Sequence, residues 1–194
     1  MNRVAQLDPT QATGKTRELF DAVEARLGSV PNIFRVFGNA PAALEGYLSF
    51  CGALAGGVLT DRVREQIALV VAEINYCEYS LSAHIYLGGM AGLDEREIAD
   101  ARRVSAADGH TSAILSLARG IAVQRGALGD AELKAARAAG VTDAEIVETV
   151  ANVALNILTN YLNHVAHTVV DFPEVTPGEG EPLNDEQTKK EGLK

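Results

Sequence analysis

The chain has 194 residues, a formal net charge of -9 and a composition that is 47% hydrophobic yet only 5% aromatic, with no Trp. That length suits one compact domain, or two small pseudo-repeated halves sharing a core. Basic residues dispersed over an acidic chain leave no footprint for nucleic-acid phosphates, and no apolar run approaches the roughly 20 residues of a bilayer span. The first residues, MNRVAQLDPT, carry no apolar signal core. Cys51 and Cys77 are the only cysteines, too few for a disulfide framework, so the expectation is a cytoplasmic protein with reduced thiols and no membrane or nucleic-acid partner.

Abundant Ala with Glu and Arg favours helices, because Ala loses no side-chain entropy in a helix. Residues 1–14 are polar, contain Pro9 and Gly14, and read as a loose arm. Leu19, Phe20, Val23 and Leu27 then recur at helical spacing over 15–27, and Gly28 ends the run. A turn at Val30-Pro31-Asn32 leads into a short helical piece to Phe37. Pro41 sits at a first helical position for a helix to Ala55, closed by Gly56-Gly57.

Thr60-Asp61 opens a helix with Val63, Ile67, Val70, Val71 and Ile74 on one face. Asn75 is placed to cap a successor carrying Cys77 to Leu87, with Gly88-Gly89 as its stop. Further helices are predicted over about 94–104, 111–125, 130–139 and 143–170, two of them opened by the capping patterns Asp94 with Glu97 and Thr142 with Glu145. No segment alternates with period two, so no sheet is expected and the fold class is all-α. Residues 1–172 form the helical domain. The last stretch, 173–194, is rich in Pro, Gly and charge and reads as a tail, disordered or draped on a neighbour.

A faint internal helical repeat appears when Glu65 is laid on Glu148. Ala68 then meets Ala151, Val70 meets Val153, Ile74 meets Ile157, Ala83 meets Ala166 and His84 meets His167. In that register Asn160 and Asn163 stand where the first copy has Cys77 and Ser80, so the second copy has no nucleophile.

Chemistry concentrates between Glu65 and His84. Cys77, Ser80 and His84 are three and then four residues apart, which places them along one helical face. A thiol in the first turn of a helix feels unpaired N–H groups and the positive end of the dipole, which lower its pKa. Ser80 is positioned to hydrogen-bond such a thiolate, and His84, one turn on, to relay a proton. An antiparallel return of the preceding helix would bring the Glu65 carboxylate to His84 and orient its ring.

The spacing Glu65-x11-Cys77-x2-Ser80-x3-His84 resembles the Glu-x11-Cys-x2-Cys-x3-His pattern of the AhpD-like, or carboxymuconolactone decarboxylase, superfamily. Three of its four positions match, and the flanks Val30-Pro31-Asn32, Asn75-Tyr76-Cys77, Asn163 to Thr168 and Asp171-Phe172-Pro173 are similar too. The resemblance covers roughly residues 15–173. It implies an all-helical protomer that assembles as a dimer, trimer or hexamer. It also implies either peroxidase or thiol-exchange chemistry through a dithiol with a Glu/His proton relay, or decarboxylase chemistry on a lactone without one. No cofactor is implied.

Ser80 departs from the pattern where the second cysteine would react with peroxide. Serine forms neither a sulfenate nor a bridge to Cys77. The expected activity is therefore an oxidoreductase working through the single thiol of Cys77, with His84 as acid/base and Glu65 as its orienter. An external thiol reductant, or less readily Cys51, would resolve it. The alternatives are a lyase using His84 and Glu65 with the thiol incidental, and a non-enzymatic binding or assembly protein on a retired redox scaffold. Tyr76 and Tyr79 flank Cys77 as candidate pocket walls for a small-molecule substrate, a hydroperoxide or small organic acid. His164 and His167 share a helical face but lack a third ligand, so no metal site is expected.

Overall fold

A computed structural model describes residues 3–178. Among these residues the secondary structure is helical throughout: a 3-10 turn at Pro9–Gln11 precedes α1 (Gly14–Leu27), α2 (Asn32–Phe37), α3 (Pro41–Ala55), α4 (Asp61–Ile74), α5 (Glu78–Met90), α6 (Glu95–Arg102), α7 (Gly109–Gln124), α8 (Asp130–Ala138) and α9 (Asp143–Ala166). The all-α expectation holds.

The middle of α4 is the hub. Every residue from Gln66 to Ala72 is buried, an all-round burial that only an interior helix shows. Ile67, Leu69, Val70 and Val71 pack with Leu81 of α5, Ile114, Leu115, Ala118 and Ile121 of α7, and Val153 of α9. A second cluster gathers Leu19, Phe20 and Val23 of α1, Ile33 and Phe37 of α2 and Leu44 of α3 around Cys77, Tyr79 and Ala83.

Helix starts follow the sequence closely. Asp94 with Glu97 and Thr142 with Glu145 form complete capping boxes, and Thr60 Oγ1 accepts from the Val63 amide. Helix ends diverge more. Asn75 closes α4 instead of capping α5: the Tyr76 amide donates to Glu73 O and the Cys77 amide to Ala72 O, while Tyr76 takes a left-handed φ of 51°. This is a Schellman closure with tyrosine where glycine is usual, and it makes Cys77 itself the N-cap of α5. Gly88-Gly89 does not stop α5, which continues to Met90. Gly88 is buried in the helix, where an added Cβ would lie 3.1 Å from Leu93. Gly92, at φ 88°, makes the turn that follows.

The last helix ends at Ala166, short of the expected 170, because the chain must turn away. His167 adopts φ 49° and its N–H caps on Asn163 O. The following residues reach the Val30-Pro31-Asn32 corner, where Asp171 Oδ2 accepts the Asn32 amide at 2.8 Å and Asp171 Oδ1 accepts Tyr79 O–H at 2.8 Å. Asn32 Nδ2 donates to Val169 O at 3.0 Å. The two flanking motifs therefore form one latch.

The N-terminal arm is tied down where a loose one was expected. Arg3 N–H donates to Ala166 O at 2.7 Å and Leu7 N–H to Arg35 O at 3.1 Å, and Leu7 packs on the second cluster. The start of the expected tail is draped over α4 and α5: Val175 N–H donates to Ser82 Oγ and Gly178 N–H to Glu73 Oε2. Residues 179–194 of that tail lie outside the described residues.

Glu148 of α9 fixes the loop ahead of α4 by accepting the amides of Val58 (2.8 Å) and Leu59 (3.0 Å). A Cβ on Gly57 would stand 2.3 Å from Glu148 Oε1. Gly57→Ala should therefore displace the carboxylate from both amides and lower stability by about 1 kcal/mol, chiefly the cost of orphaning the partly buried Leu59 donor, since the Val58 amide is exposed to water. Thermal denaturation reads this as a lower Tm, with Glu148→Gln showing a smaller loss. An unchanged Tm for Gly57→Ala would mean the carboxylate cap contributes nothing.

Candidate active site

The α4–α5 hairpin reverses the chain so that Glu65, nine residues before the end of α4, lies beside His84, in the second turn of α5. Glu65 Oε2 is 2.8 Å from His84 Nδ1, and both side chains are about one-fifth exposed. With Nδ1 held by the carboxylate, Nδ1–H is the tautomer the contact selects, and Nε2 is the ring nitrogen left to act.

The four motif residues divide into two pairs. Cys77 and Ser80 form the second, deeper one: the thiol donates to Ser80 Oγ at 3.3 Å and lies 3.9 Å from Asn160 O. Asn163 Nδ2 donates to the same Ser80 oxygen at 3.2 Å. Cys77 is 1% exposed and Ser80 2%. Burial pushes the Cys77 thiol pKa up, overriding the hydrogen bonding with Ser80 and Asn163 that acts to lower it. The expected lowering by the helix N-terminus is thus not what the site delivers. Desolvation outweighs it, because the sulfur sits beneath the surface in the second core cluster.

A cleft of about 350 Å3 opens over these groups. Ser80, His84 and Tyr79 line it, together with Tyr47 of α3, Thr159 of α9 and Phe172 of the latch. Cys77 and Tyr76 are not among its walls. Tyr76 is half exposed at the left-handed turn, and its ring lies toward Gly178. Tyr79 is positioned by the latch: its hydroxyl accepts the Ile33 amide at 3.1 Å and donates to Asp171. Burial raises the Tyr79 pKa far above the ordinary phenol range, so it is a neutral wall. The Phe172 ring meets Tyr79 edge-on at 5.8 Å and leans on Tyr86 at 5.8 Å, which completes an apolar, aromatic mouth.

Cys51 is a second free thiol, half-buried on α3. Burial raises its pKa, and the Tyr47 hydroxyl bonded to it acts the other way. His164 Nε2 contacts Asn75 O at 2.8 Å and His167 is the α9 cap. Among the described residues no group of three or more His, Cys, Asp or Glu is placed to hold a metal.

A second cavity of about 330 Å3 contains another histidine–carboxylate pair, His110 and Glu145. Its chemistry is already committed. His110 Nε2 is 2.8 Å from Glu145 Oε1 and Nδ1 is 3.3 Å from Ala139 O, so neither ring nitrogen is left over, and Glu145 also serves the α9 capping box. His84 differs in keeping Nε2.

Sequence reading missed Thr159, Asn163 and Asp171 as parts of the site. Asn160 and Asn163 had a signal: they align with Cys77 and Ser80 in the internal register, and the fold places them against those same residues.

Residues 41–124 match the family model described as the Carboxymuconolactone decarboxylase family. In fold the chain is similar to the AhpD core of an uncharacterized peroxidase-related protein from Ralstonia eutropha JMP134, at 20% identity over 88% of this chain and 92% of that one, with a TM-score of 0.79. It is similar to a peroxidase-related protein from Silicibacter sp. TM1040, at 22% identity over 86% and 92% with a TM-score of 0.74. It is also similar to the debrominase Bmp8, crystallised as a cysteine-to-alanine variant with 2,3,4-tribromopyrrole, at 15% identity over 87% and 91% with a TM-score of 0.75. No curated protein sequence matches the chain. The chain thus has the AhpD-like fold, and its segment 41–124 is similar to the carboxymuconolactone decarboxylase family.

Proposed function

We propose that the chain is an enzyme that moves a proton on a small, largely apolar organic molecule, with His84 Nε2 as general base and acid and Glu65 as its positioning residue. The observation that carries this reading is the division of the site: His84 lines the cleft with Nδ1 held by Glu65, whereas the Cys77 sulfur is buried away from the cleft walls. In the reaction, Nε2 takes a proton from a carbon or oxygen acid of the substrate. The imidazolium that forms is stabilised by the Glu65 carboxylate, and the same proton, or one from water, is returned to the product. Ser80 Oγ already accepts from Cys77 and Asn163, which leaves its own O–H to bond a substrate oxygen.

The cleft's size and its Tyr47, Tyr79 and Phe172 walls suit a single small ring. A debrominase of the same fold holds a ring of that class, 2,3,4-tribromopyrrole. The substrate class is therefore a small cyclic acid, ketone or lactone with an acidic hydrogen, as in a decarboxylase or related lyase. Deuterium uptake from D2O into a panel of such compounds, followed by proton NMR, tests this. His84→Gln should slow exchange by about 100-fold or more, Glu65→Gln should fall between that variant and the wild type, and Cys77→Ala should stay close to wild type. Full exchange in His84→Gln would contradict the reading.

A second reading, single-thiol peroxidase chemistry at Cys77, draws on one observation: Ser80 both lines the cleft and touches the sulfur at 3.3 Å. In that reaction the Cys77 thiolate attacks a hydroperoxide, giving sulfenic acid and an alcohol. Two equivalents of external thiol then return the sulfenic acid to thiol, with release of water and formation of a disulfide.

The raised thiol pKa ranks this reading second, because the thiolate is the nucleophile. In a Cys51→Ser variant, where Cys77 is the sole thiol, alkylation by iodoacetamide should be slow at neutral pH. It should still be rising as the pH passes the ordinary cysteine value of about 8.5. A rate that reaches its plateau by about pH 7 would signal a low-pKa thiolate and reverse the order of the two readings.

A further inference from the structure

The second cavity, of about 330 Å3, has no part in the chemistry proposed for the cleft, and the two share no wall residue. It opens where several helices begin: Arg62 and Gln66 reach it from α4, Glu97 from α6, His110 from α7 and Glu145 from α9. Most of its charged groups are engaged by the fold. Arg62 bonds Glu97 and Gly92 O, and His110 holds Glu145. Asp108 and Glu145 accept the amides of Thr111 and Thr142 at the starts of α7 and α9.

Gln66 differs from all of these. It is 6% exposed and opens the buried stretch Gln66 to Ala72, whose other members are apolar. Among the described residues its side-chain amide has no hydrogen-bond partner, and it lines the cavity. A buried amide without a partner costs free energy that Leu or Met at the same place would not. An amide kept there, with a cavity in front of it, marks a site for a molecule that pairs with it.

The surrounding charges narrow what that molecule is. Three carboxylates, Glu97, Asp108 and Glu145, face the Arg62 guanidinium and His110, so the wall is net negative even with the imidazole protonated. The positive ends of α7 and α9 are already answered by their caps, which leaves a phosphate or carboxylate repelled and without compensation. Leu59, Val63 and Ile114 add apolar wall for the face of a ring, and the volume suits a ligand at the small end of the usual range. A glutamine amide presents an N–H and a C=O side by side. Its complement is a ring N–H next to a C=O, the kind of donor–acceptor pair through which Gln reads a base.

We propose that this cavity binds a small uncharged ring with adjacent N–H and C=O groups, a lactam, imide or pyrimidine base, held by two hydrogen bonds to Gln66. The inference rests on Gln66 and its cavity alone and is independent of the reaction proposed at His84.

Uracil and 2-piperidone, titrated into the purified full chain and followed by backbone amide NMR shifts, are the probes. Both should bind saturably, with a Kd of about 1 mM or tighter, and shift the amides around Gln66 and Thr111. Cyclohexanone keeps the ring and C=O without the N–H, and orotate adds a carboxylate to uracil; each should bind at least about tenfold more weakly. Gln66→Met, of similar length, should weaken uracil binding at least about tenfold, whereas His84→Gln in the cleft should leave it unchanged. Should Gln66→Met lose its helical circular dichroism, Ala107→Trp, which fills the cavity from an exposed position on its rim, replaces it with the same expected loss. The inference is overturned by no saturable binding of either probe, by cyclohexanone binding as tightly as 2-piperidone, by uracil binding retained in a folded Gln66→Met, or by its loss in His84→Gln.

Discussion

The Glu65–His84 contact is the constraint on which the site depends, and it exists only because α4 and α5 are folded back on one another at a tight turn. That turn is made by Tyr76 in a left-handed conformation, with the Cys77 amide returned to Ala72 O. Placing a tyrosine in that conformation costs on the order of 1 kcal/mol relative to glycine, offset here by its closure of the most buried helix in the molecule. The reversal brings a carboxylate from one helix to an imidazole on the next and leaves the cysteine at the corner. From there the sulfur faces inward and the histidine faces the cleft.

Two further elements complete the site. The latch of Asp171 on Asn32 and Tyr79 holds the aromatic wall in place and explains why two distant triplets of the sequence matter to one pocket. Helix α9 supplies Thr159 to the cleft and Asn163 to Ser80 from a face that is polar although buried. Polar residues on the inside and apolar ones on the outside belong to the same design. The inner face serves the site, and the outer face exposes Val147, Leu158, Tyr161 and Val165.

Much of this was legible in the sequence, and the reasons are local. Helix starts depend on side chains a few residues apart, so the capping boxes at Asp94 and Thr142 were readable directly. The Glu65–His84 pairing was readable because one spacing fixes both positions once the hairpin is assumed. Helix ends were harder. Gly88 looked like a stop, but close packing against Leu93 holds it inside α5, and Asn75 looked like a start although it ends α4. The thiol's electrostatics are hidden from the sequence for a similar reason. A helix N-terminus can be seen in sequence, whereas the depth at which Cys77 lies is set by α1, α2 and α3, and desolvation at that depth dominates. The polar residues of the arm suggest a loose segment, yet backbone amides, which every sequence has, tie it to Ala166 and Arg35.

In the proposed mechanism Glu65 holds Nδ1 of His84 so that Nε2 is free to exchange a proton. Long-range nitrogen–proton NMR of the His84 ring measures this directly, since the two neutral tautomers differ in which nitrogen carries the hydrogen. In the wild type the neutral ring should carry its proton on Nδ1, and Glu65→Gln should weaken that preference. A neutral ring protonated on Nε2 in the wild type would contradict the proposed role of the pair.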